Sequence, residues 1–408
     1  MTLFEDLKWR GLIKDITSPE LEEKLNKGGM TFYIGTDPTA DSMHIGHLSS
    51  FLITKRLKDA GHHPILLVGG GTGLIGDPKA TCERDRTPRE VIEKNYLGLR
   101  KQVEDIFGFE VVNNLDWYQD INMIDFLRDY GKYFSINYML DKDTVRKRLE
   151  SGISFTEFSY MILQAIDFLH LHQTKGVDLQ VAGSDQWGNI TAGVDLIKKA
   201  TGDTVYAFTM PLVTDSRGVK FGKSEGNALW LDKNKTSSYE LYQFLVNVED
   251  SMVIDYLKIY TFLSKEEIEK YAEVNQNEPH LRLAHKKLAE EIITFLHGHE
   301  EYEKAVHISE SLFKGNIKEL SKDELIDASK NMDSYTLNED MNLVDLLVNA
   351  NITSSKREAR EFITNNSISI NGEKVNDLEF IVTKENALYQ EFTIIRKGKK
   401  KYYVIKHK

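Results

Sequence analysis

The stretch Met30-Thr31-Phe32-Tyr33-Ile34-Gly35-Thr36-Asp37-Pro38-Thr39-Ala40-Asp41-Ser42-Met43-His44-Ile45-Gly46-His47 changes its period partway along, and that change decides the fold. Met30 to Gly35 is apolar, aromatic and β-branched, the mark of a buried strand. Asp37-Pro38-Thr39 breaks the run. Asp41 and Ser42 offer capping side chains, and Ile45, Leu48, Leu52 and Leu57 recur at helical spacing between His44 and Lys58. Strand and helix signals continue to alternate to about residue 220, which predicts a parallel α/β sheet.

His44 and His47 fall in the first turns of that helix, three apart and so on one face. A helix N-terminus attracts anions through its free N–H groups and dipole. Gly46 lets a flat ring or a ribose approach the backbone, and Thr39 adds a hydroxyl just upstream. This pattern suits a triphosphate; two surface histidines beside a helix cap are the plainer alternative. Zinc fits less well: the spacing is not His-x-x-x-His, no Glu base accompanies it, and Cys82 is the one cysteine.

A second signature, Lys220-Phe221-Gly222-Lys223-Ser224, follows the turn-rich Thr214-Asp215-Ser216-Arg217-Gly218. Two lysines around a glycine can close over polyphosphate and neutralise charge as pyrophosphate leaves; a solvated basic loop is the alternative. It is not a P-loop, because Arg217 stands where the first glycine belongs. Gly71-Thr72-Gly73-Leu74-Ile75-Gly76 matches a dinucleotide fingerprint, but Asp77-Pro78 stops the helix that must follow, and no acid-ending strand comes about 20 residues later. A turn that brings backbone and Asp77 close to a small ligand is the better reading.

With Gly73-Leu74-Ile75-Gly76-Asp77-Pro78, Phe155 to Gln164 (FTEFSYMILQ) and Gly183-Ser184-Asp185-Gln186-Trp187-Gly188-Asn189 added to the two signatures, the chain resembles the bacterial tyrosyl-tRNA synthetases, class I aminoacyl-tRNA synthetases, over nearly its whole length. The resemblance implies a Rossmann-like catalytic domain over 1–220 and an α-helical domain over 221–325 that begins with the lysine loop. A linker at 326–341 and a small α+β S4-like RNA-binding domain at 342–408 follow. It implies that Thr39, His44, Lys220 and Lys223 hold the triphosphate and the departing pyrophosphate. His47, Asp37, Gly46, Gly183, Asp185 and Ser224 then meet the rest of ATP, which arrives as its Mg2+ complex, with no other metal or organic cofactor. Tyr33 and Asp167 meet the phenol of L-tyrosine, Asp77, Tyr160 and Gln164 its ammonium group, and Gln186 its carboxylate. Tyr160, Gln164 and Asp167 fall at i, i+4 and i+7 of one apolar helix, hence on one stripe. Polar groups clustered on so apolar a helix need a partner: a bound amino acid, or a buried network without a ligand.

Two positions depart from the family pattern. Ile34 stands where many relatives carry a ribose-touching cysteine, so that contact is missing. The segment Lys79 to Arg86 differs and is about a residue shorter, which leaves Lys79, Arg84 and Arg86 as alternative phosphate contacts. Residues 117–155 interrupt the alternation with aromatic-rich helical sequence (Trp117, Tyr118, Phe126, Tyr130, Tyr133, Phe134, Tyr138); in the family this segment and Phe155 build a homodimer interface.

At 408 residues with 41% hydrophobic content the chain can build two or three cores. No run of 18 apolar residues and no signal-peptide pattern occur, which predicts a soluble protein with no membrane partner. One cysteine suits a reducing cytoplasm. The net charge of −11 is unevenly spread: residues 354–408 hold 12 Lys+Arg against 7 Asp+Glu, a net of +5, which leaves −16 elsewhere. The basic end has its own pattern, with a short apolar helix at 342–348, a basic helix begun by Ser354-Ser355, and a hairpin turning on Asn371-Gly372. Lys356, Arg357, Arg360, Lys399, Lys400 and Lys401 are the expected contacts to tRNA(Tyr), with Tyr402 and Tyr403 available to stack on bases. A metabolite nucleotidyltransferase of the same superfamily is one competing reading, opposed by the basic module. A non-enzymatic RNA-binding relative is another, opposed by intact Asp77, Asp185, Lys220 and Lys223. Tryptophan is the nearest rival substrate.

Overall fold

A computed structural model describes residues 1–78, 86–149, 152–224, 227–330, 332–398 and 401–408. Lys79, Arg84, Lys399 and Lys400 lie outside the described residues, as do the side chains of Lys223 and Ser224. The chain divides into two compact units, Met1–Lys235 with Glu249–Ala284, and Thr236–Val248 with His285–Lys408.

The first unit is built on a sheet of six strands among the described residues: β1 (Asp15–Ile16), β2 (Thr31–Thr36), β3 (His63–Val68), β4 (Glu110–Asn113), β5 (Val177–Gly183) and β6 (Tyr206–Met210). Their order is β1-β6-β5-β2-β3-β4, with β2 to β6 parallel and β1 antiparallel at the edge. Strands covered on both faces read as unbroken apolar runs. Phe32, Tyr33 and Ile34 of β2 are accordingly all buried, as is β6 throughout. From β2 the chain steps to β3 on one side and later returns through β5 on the other. Ligands of open α/β sheets bind beyond the carboxyl ends of strands at such a switch point. Asp37 follows β2 and Asp185 follows β5, so that crevice receives the residues singled out above.

The helix Ile45–Asp59 starts where expected, with His44 as its cap. The helix Phe155–Lys175 is capped by Ser154, whose hydroxyl accepts from Glu157 N–H, and ends at Gly176 in the left-handed region (φ 64°). It buries Met161, Ile162, Ile166, Phe168, Leu169 and Leu171, each of which stabilises the fold by about 1.5–3 kcal/mol. An almost fully buried ion pair, Arg148–Glu157 at 3.0 Å, ties the inserted segment to this helix. The rejected dinucleotide motif forms a short 3-10 turn, Thr72–Leu74, instead of a helix start.

The second unit contains a five-stranded sheet whose order in space is Glu373–Lys374, Ile368–Ile370, Phe392–Lys397, Lys401–His407, Asp333–Leu337. The predicted hairpin turns through Asn371 (φ 48°) and Gly372 (φ 90°), the two positive values a two-residue turn needs. Ser355 caps the basic helix Lys356–Thr364. The linker expected at 326–341 is corrected. Lys322–Ser329 is a helix with its own capping box, and Asp333–Leu337 pairs in parallel with Lys401–His407. An acidic, polar edge strand looks like a linker because its outward face is solvated. The boundary at 342 fails because Phe392, Ile394 and Val404 share a core with Ile308, Leu312, Ile317, Leu320 and Leu325. The two tyrosines are not base-stacking groups either. Tyr403 is buried in the sheet's core, and the Tyr402 hydroxyl donates to the Leu312 carbonyl at 2.5 Å.

Candidate active site

The two signatures meet. Ile45 N–H donates to the Leu229 carbonyl (2.8 Å), Leu231 N–H to the Met43 carbonyl (2.8 Å) and Leu229 N–H to the Gly222 carbonyl (3.2 Å). Phe221 packs on Tyr256 and Tyr260, with ring centroids 4.3 and 5.1 Å away. Gly222 lies at φ +82°, and a Cβ there would come within 2.1 Å of the Ile45 side chain, so only glycine lets the loop lie this close. Lys220, just before this anchor, is exposed.

The imidazoles of His44 and His47 stack with centroids 3.9 Å apart. His44 Nδ1 accepts from Gly46 N–H, and His47 Nδ1 accepts from His44 N–H, so both rings cap their own helix. The room beside Gly46, expected for a ligand, holds the His44 ring and the Phe221 carbonyl: a Cβ there would lie 2.9 and 3.3 Å from them. Burial, with His44 and Lys220 nearby, pushes His47 down to about 3, so its ring is neutral. Thr39 is exposed upstream of the cap.

The amino-acid end is a buried network. Asp37 accepts from the Thr72 hydroxyl (2.8 Å) and from the Tyr160 hydroxyl (2.9 Å). Tyr160, expected to face an ammonium group, is thus engaged with Asp37, which was expected at the adenosine. Asp77 accepts from Gln186 Nε2 (2.9 Å) and Asn189 Nδ2 (3.3 Å). Gln164 is half-buried one turn from Tyr160. Beside Asp77 and Asp185 opens a cavity of about 640 Å³ whose walls include Lys142, Arg146, Glu157 and Trp187; Tyr33 and Asp167 are not among its lining residues.

Tyr33 is 1% exposed, and its hydroxyl has no hydrogen-bond partner among the described residues. Asp167, 2% exposed, does not bond to it. Its Oδ1 accepts from Trp117 Nε1 (3.0 Å) and the Tyr118 hydroxyl (2.5 Å), and its Oδ2 from Asn114 Nδ2 (3.1 Å). Burial pushes Asp167 up to about 7, against the pull of these three donors. Gln180 lies opposite Tyr33 in register on β5, also buried, with an unpartnered Oε1 among the described residues. Two orphaned polar atoms on residues paired across neighbouring strands in a core point to a ligand that supplies their partners.

Sequence reasoning missed Thr72, Asn114, Gln180 and Asn189, and assigned Trp117 and Tyr118 to a dimer interface. Trp117 and Tyr118 instead turn their polar tips to Asp167. Three glycines make the approach possible: a Cβ on Gly69 would lie 2.2 Å from Asp37 Oδ1, one on Gly70 2.3 Å from Asn113 Oδ1, and one on Gly71 2.6 Å from the Tyr118 ring. Their succession after β3 was the available signal.

A family model described as tRNA synthetases class I (W and Y) matches residues 25–314, and one for the tyrosine–tRNA ligase SYY-like C-terminal domain matches residues 324–405. The tyrosine–tRNA ligases of Macrococcus caseolyticus and Staphylococcus carnosus are each 51% identical to this chain; the alignments cover 99% and 100% of it and 99% of each relative. A C-terminally truncated mitochondrial tyrosyl-tRNA synthetase of Aspergillus nidulans superimposes with a TM-score of 0.67 at 33% identity, over 76% of this chain and 94% of that one. A tyrosyl-tRNA synthetase of Archaeoglobus fulgidus, complexed with L-tyrosine, shares the fold at 18% identity, with a TM-score of 0.55 over 75% of this chain and 100% of that one. With a class I core, a matching C-terminal domain and full-length relatives at half identity, the chain belongs to the tyrosine–tRNA ligase family of class I aminoacyl-tRNA synthetases.

Proposed function

We propose that this chain joins L-tyrosine to tRNA(Tyr) in two steps at the crevice between β2 and β5. A carboxylate oxygen of tyrosine attacks the α-phosphorus of Mg2+-ATP. The bond from that phosphorus to the bridging oxygen breaks, and pyrophosphate leaves as tyrosyl-adenylate forms. A ribose hydroxyl at the tRNA 3′ end then attacks the activated carbonyl and releases AMP. The observation that carries the reading is the unpartnered Tyr33 hydroxyl, buried near Asp167.

Tyr33 and Asp167 bracket the phenol; Asp77, Tyr160 and Gln164 meet the ammonium group, and Gln186 orients the carboxylate. Asp37, Gly46, His47, Gly183 and Asp185 seat the adenosine. Thr39, His44, Lys220, Lys223 and Ser224 meet the phosphates, where positive donors stabilise charge that grows as pyrophosphate departs. The His44 imidazole contact that now caps the helix is exchanged for phosphate. Arg86 is exposed and is the described member of the three alternative phosphate contacts.

Lys356, Arg357, Arg360 and Lys401, all exposed, grip tRNA phosphates together with Lys399 and Lys400. The protein works in the cytoplasm as a homodimer through the 117–155 segment, where Met123, Ile124, Ile136 and Phe155 are exposed. Exposed large apolar side chains concentrated in one segment are what a partner covers. Among the described residues no helix is long and apolar enough to cross a membrane.

ATP–pyrophosphate exchange with tyrosine, phenylalanine and tryptophan, followed by tRNA charging, tests the proposal. Tyrosine alone should support exchange. Reversing Lys356, Arg357 and Arg360 to Glu together should abolish charging at moderate salt and leave exchange intact. Exchange with tryptophan instead, or normal charging by the triple variant, refutes the corresponding half.

A further inference from the structure

Asp167 is the most heavily engaged buried acid of the site, and its partners differ in kind. An ionised carboxylate offers about four acceptor positions. Trp117 Nε1 and the Tyr118 hydroxyl take two on Oδ1, and Asn114 Nδ2 takes one on Oδ2. Asn114 is itself fixed at both ends: its Oδ1 accepts from Gly71 N–H (2.7 Å) and its Nδ2 also reaches the Thr72 hydroxyl (2.9 Å). Trp117 is clamped by stacking on His170, with centroids 4.4 Å apart. Tyr118 alone has a choice. Its oxygen lies 2.5 Å from Asp167 Oδ1 and 2.6 Å from the Leu163 carbonyl, and it has one proton to give.

We infer that Tyr118 is a positioning residue for tyrosine selection: by holding Oδ1 with Trp117 it leaves one acceptor site on Asp167, on Oδ2, for the substrate hydroxyl. The inference rests on the reading that Asp167 meets the phenol. With Asp167 ionised, Tyr118 donates to Oδ1. With Asp167 protonated, the acid donates to the Tyr118 oxygen and Tyr118 donates to the Leu163 carbonyl. The protonated arrangement satisfies both short contacts, whereas the ionised one keeps only the bond to Oδ1, made charge-assisted; they differ by one proton, which goes to solvent. Both leave Oδ2 open to accept the substrate O–H while Tyr33 donates to the substrate oxygen, but the ionised one accepts it in a charge-assisted bond, about twice as strong as the neutral one. Tyr118 therefore favours the form of Asp167 that selects a hydroxyl. The other titratable groups around Asp167 are Tyr33 and Asp37 of the β2 side and Tyr160 on its own helix, with His170 behind Trp117. None of them donates to Oδ1.

The test is pyrophosphate exchange by the full-length protein from pH 6 to 9 in wild type and Tyr118→Phe, with tyrosine and phenylalanine. Wild type should show a KM for tyrosine that falls as pH rises through about 7, as Asp167 ionises. In Tyr118→Phe the inflection should move up by about one unit, so tyrosine KM at pH 7 rises about fivefold and recovers toward pH 9. The kcat at saturating tyrosine, the KM for ATP and the weak use of phenylalanine should stay level. Gly71→Ala, whose backbone (φ −78°, ψ −52°) accepts a Cβ, pushes on the Tyr118 ring at 2.6 Å and crowds Asn114 Oδ1 at 3.2 Å, and should move the inflection the same way by loosening both donors. An unmoved inflection, or equal losses for tyrosine and phenylalanine, overturns the inference and leaves Tyr118 as packing. Wild type that does not prefer tyrosine overturns the underlying assignment of Asp167, and the inference with it.

Discussion

Replacing Tyr33 by Phe removes one oxygen from a fully enclosed position, and its consequences can be worked from the pocket. In the free protein that hydroxyl has no partner among the described residues. Its loss costs the fold no hydrogen bond, and the thermal midpoint should hold or rise slightly. With tyrosine bound, Tyr33 donates to the substrate oxygen, a neutral bond worth about 0.5–1.5 kcal/mol, so tyrosine kcat/KM should fall by roughly 2- to 12-fold. With phenylalanine bound in wild type, the Tyr33 oxygen stays as it is in the free protein, enclosed and without a partner among the described residues. Tyr33→Phe should therefore leave phenylalanine use nearly unchanged. The tyrosine-to-phenylalanine ratio drops by the same roughly 2- to 12-fold as tyrosine kcat/KM, while Asp167 still supplies most of the discrimination. Sites that hydrogen-bond a substrate hydroxyl reject the analogue lacking it by about 10⁴–10⁵, a range for which this family is itself the known example. Exchange kinetics with both amino acids give the ratio. If it does not change, Tyr33 is a packing residue and the phenol lies elsewhere.

Three further outcomes are expected. His44→Asn keeps a side chain able to cap the helix but loses the imidazole; the rate of activation should fall by about 10²–10³ with tyrosine affinity and thermal midpoint nearly unchanged, and a large loss of tyrosine binding would place His44 in the wrong half of the site. Asp167 holds its proton in the folded state up to about pH 7 but loses it near 4 when unfolded, so its contribution to stability is full below about pH 4 and is lost as pH rises to 7; melting curves of Asp167→Asn should gain on wild type across that window and run parallel above it, and parallel curves throughout would contradict the buried acid. Phe155→Asp, at a side chain 71% exposed in the single chain, should bury an unpaired charge between subunits and yield monomers by sedimentation; a monomeric wild type at micromolar concentration would sink the interface.

The sequence alone determined what depends on neighbours along the chain. The strand of Thr31–Thr36, the helix after His44 and the Asn371-Gly372 turn follow from periodicity, caps and positive-φ residues. The stripe of Tyr160, Gln164 and Asp167 follows from helical geometry. Long motifs held at one chain end of a strand or helix carried the family and the residue list. Tertiary structure decided which partner each of those groups has. Asp167 meets Asn114, Trp117 and Tyr118 from some 50 residues away, Tyr160 meets Asp37 across 123, and Asp77 meets Gln186 across 109. No local pattern encodes such pairs, because loop closure lets any surface of matching shape and polarity meet. The same reason explains the misplaced linker: Asp333–Leu337 is polar and short by itself, and becomes a strand only because Lys401–His407 offers it an edge.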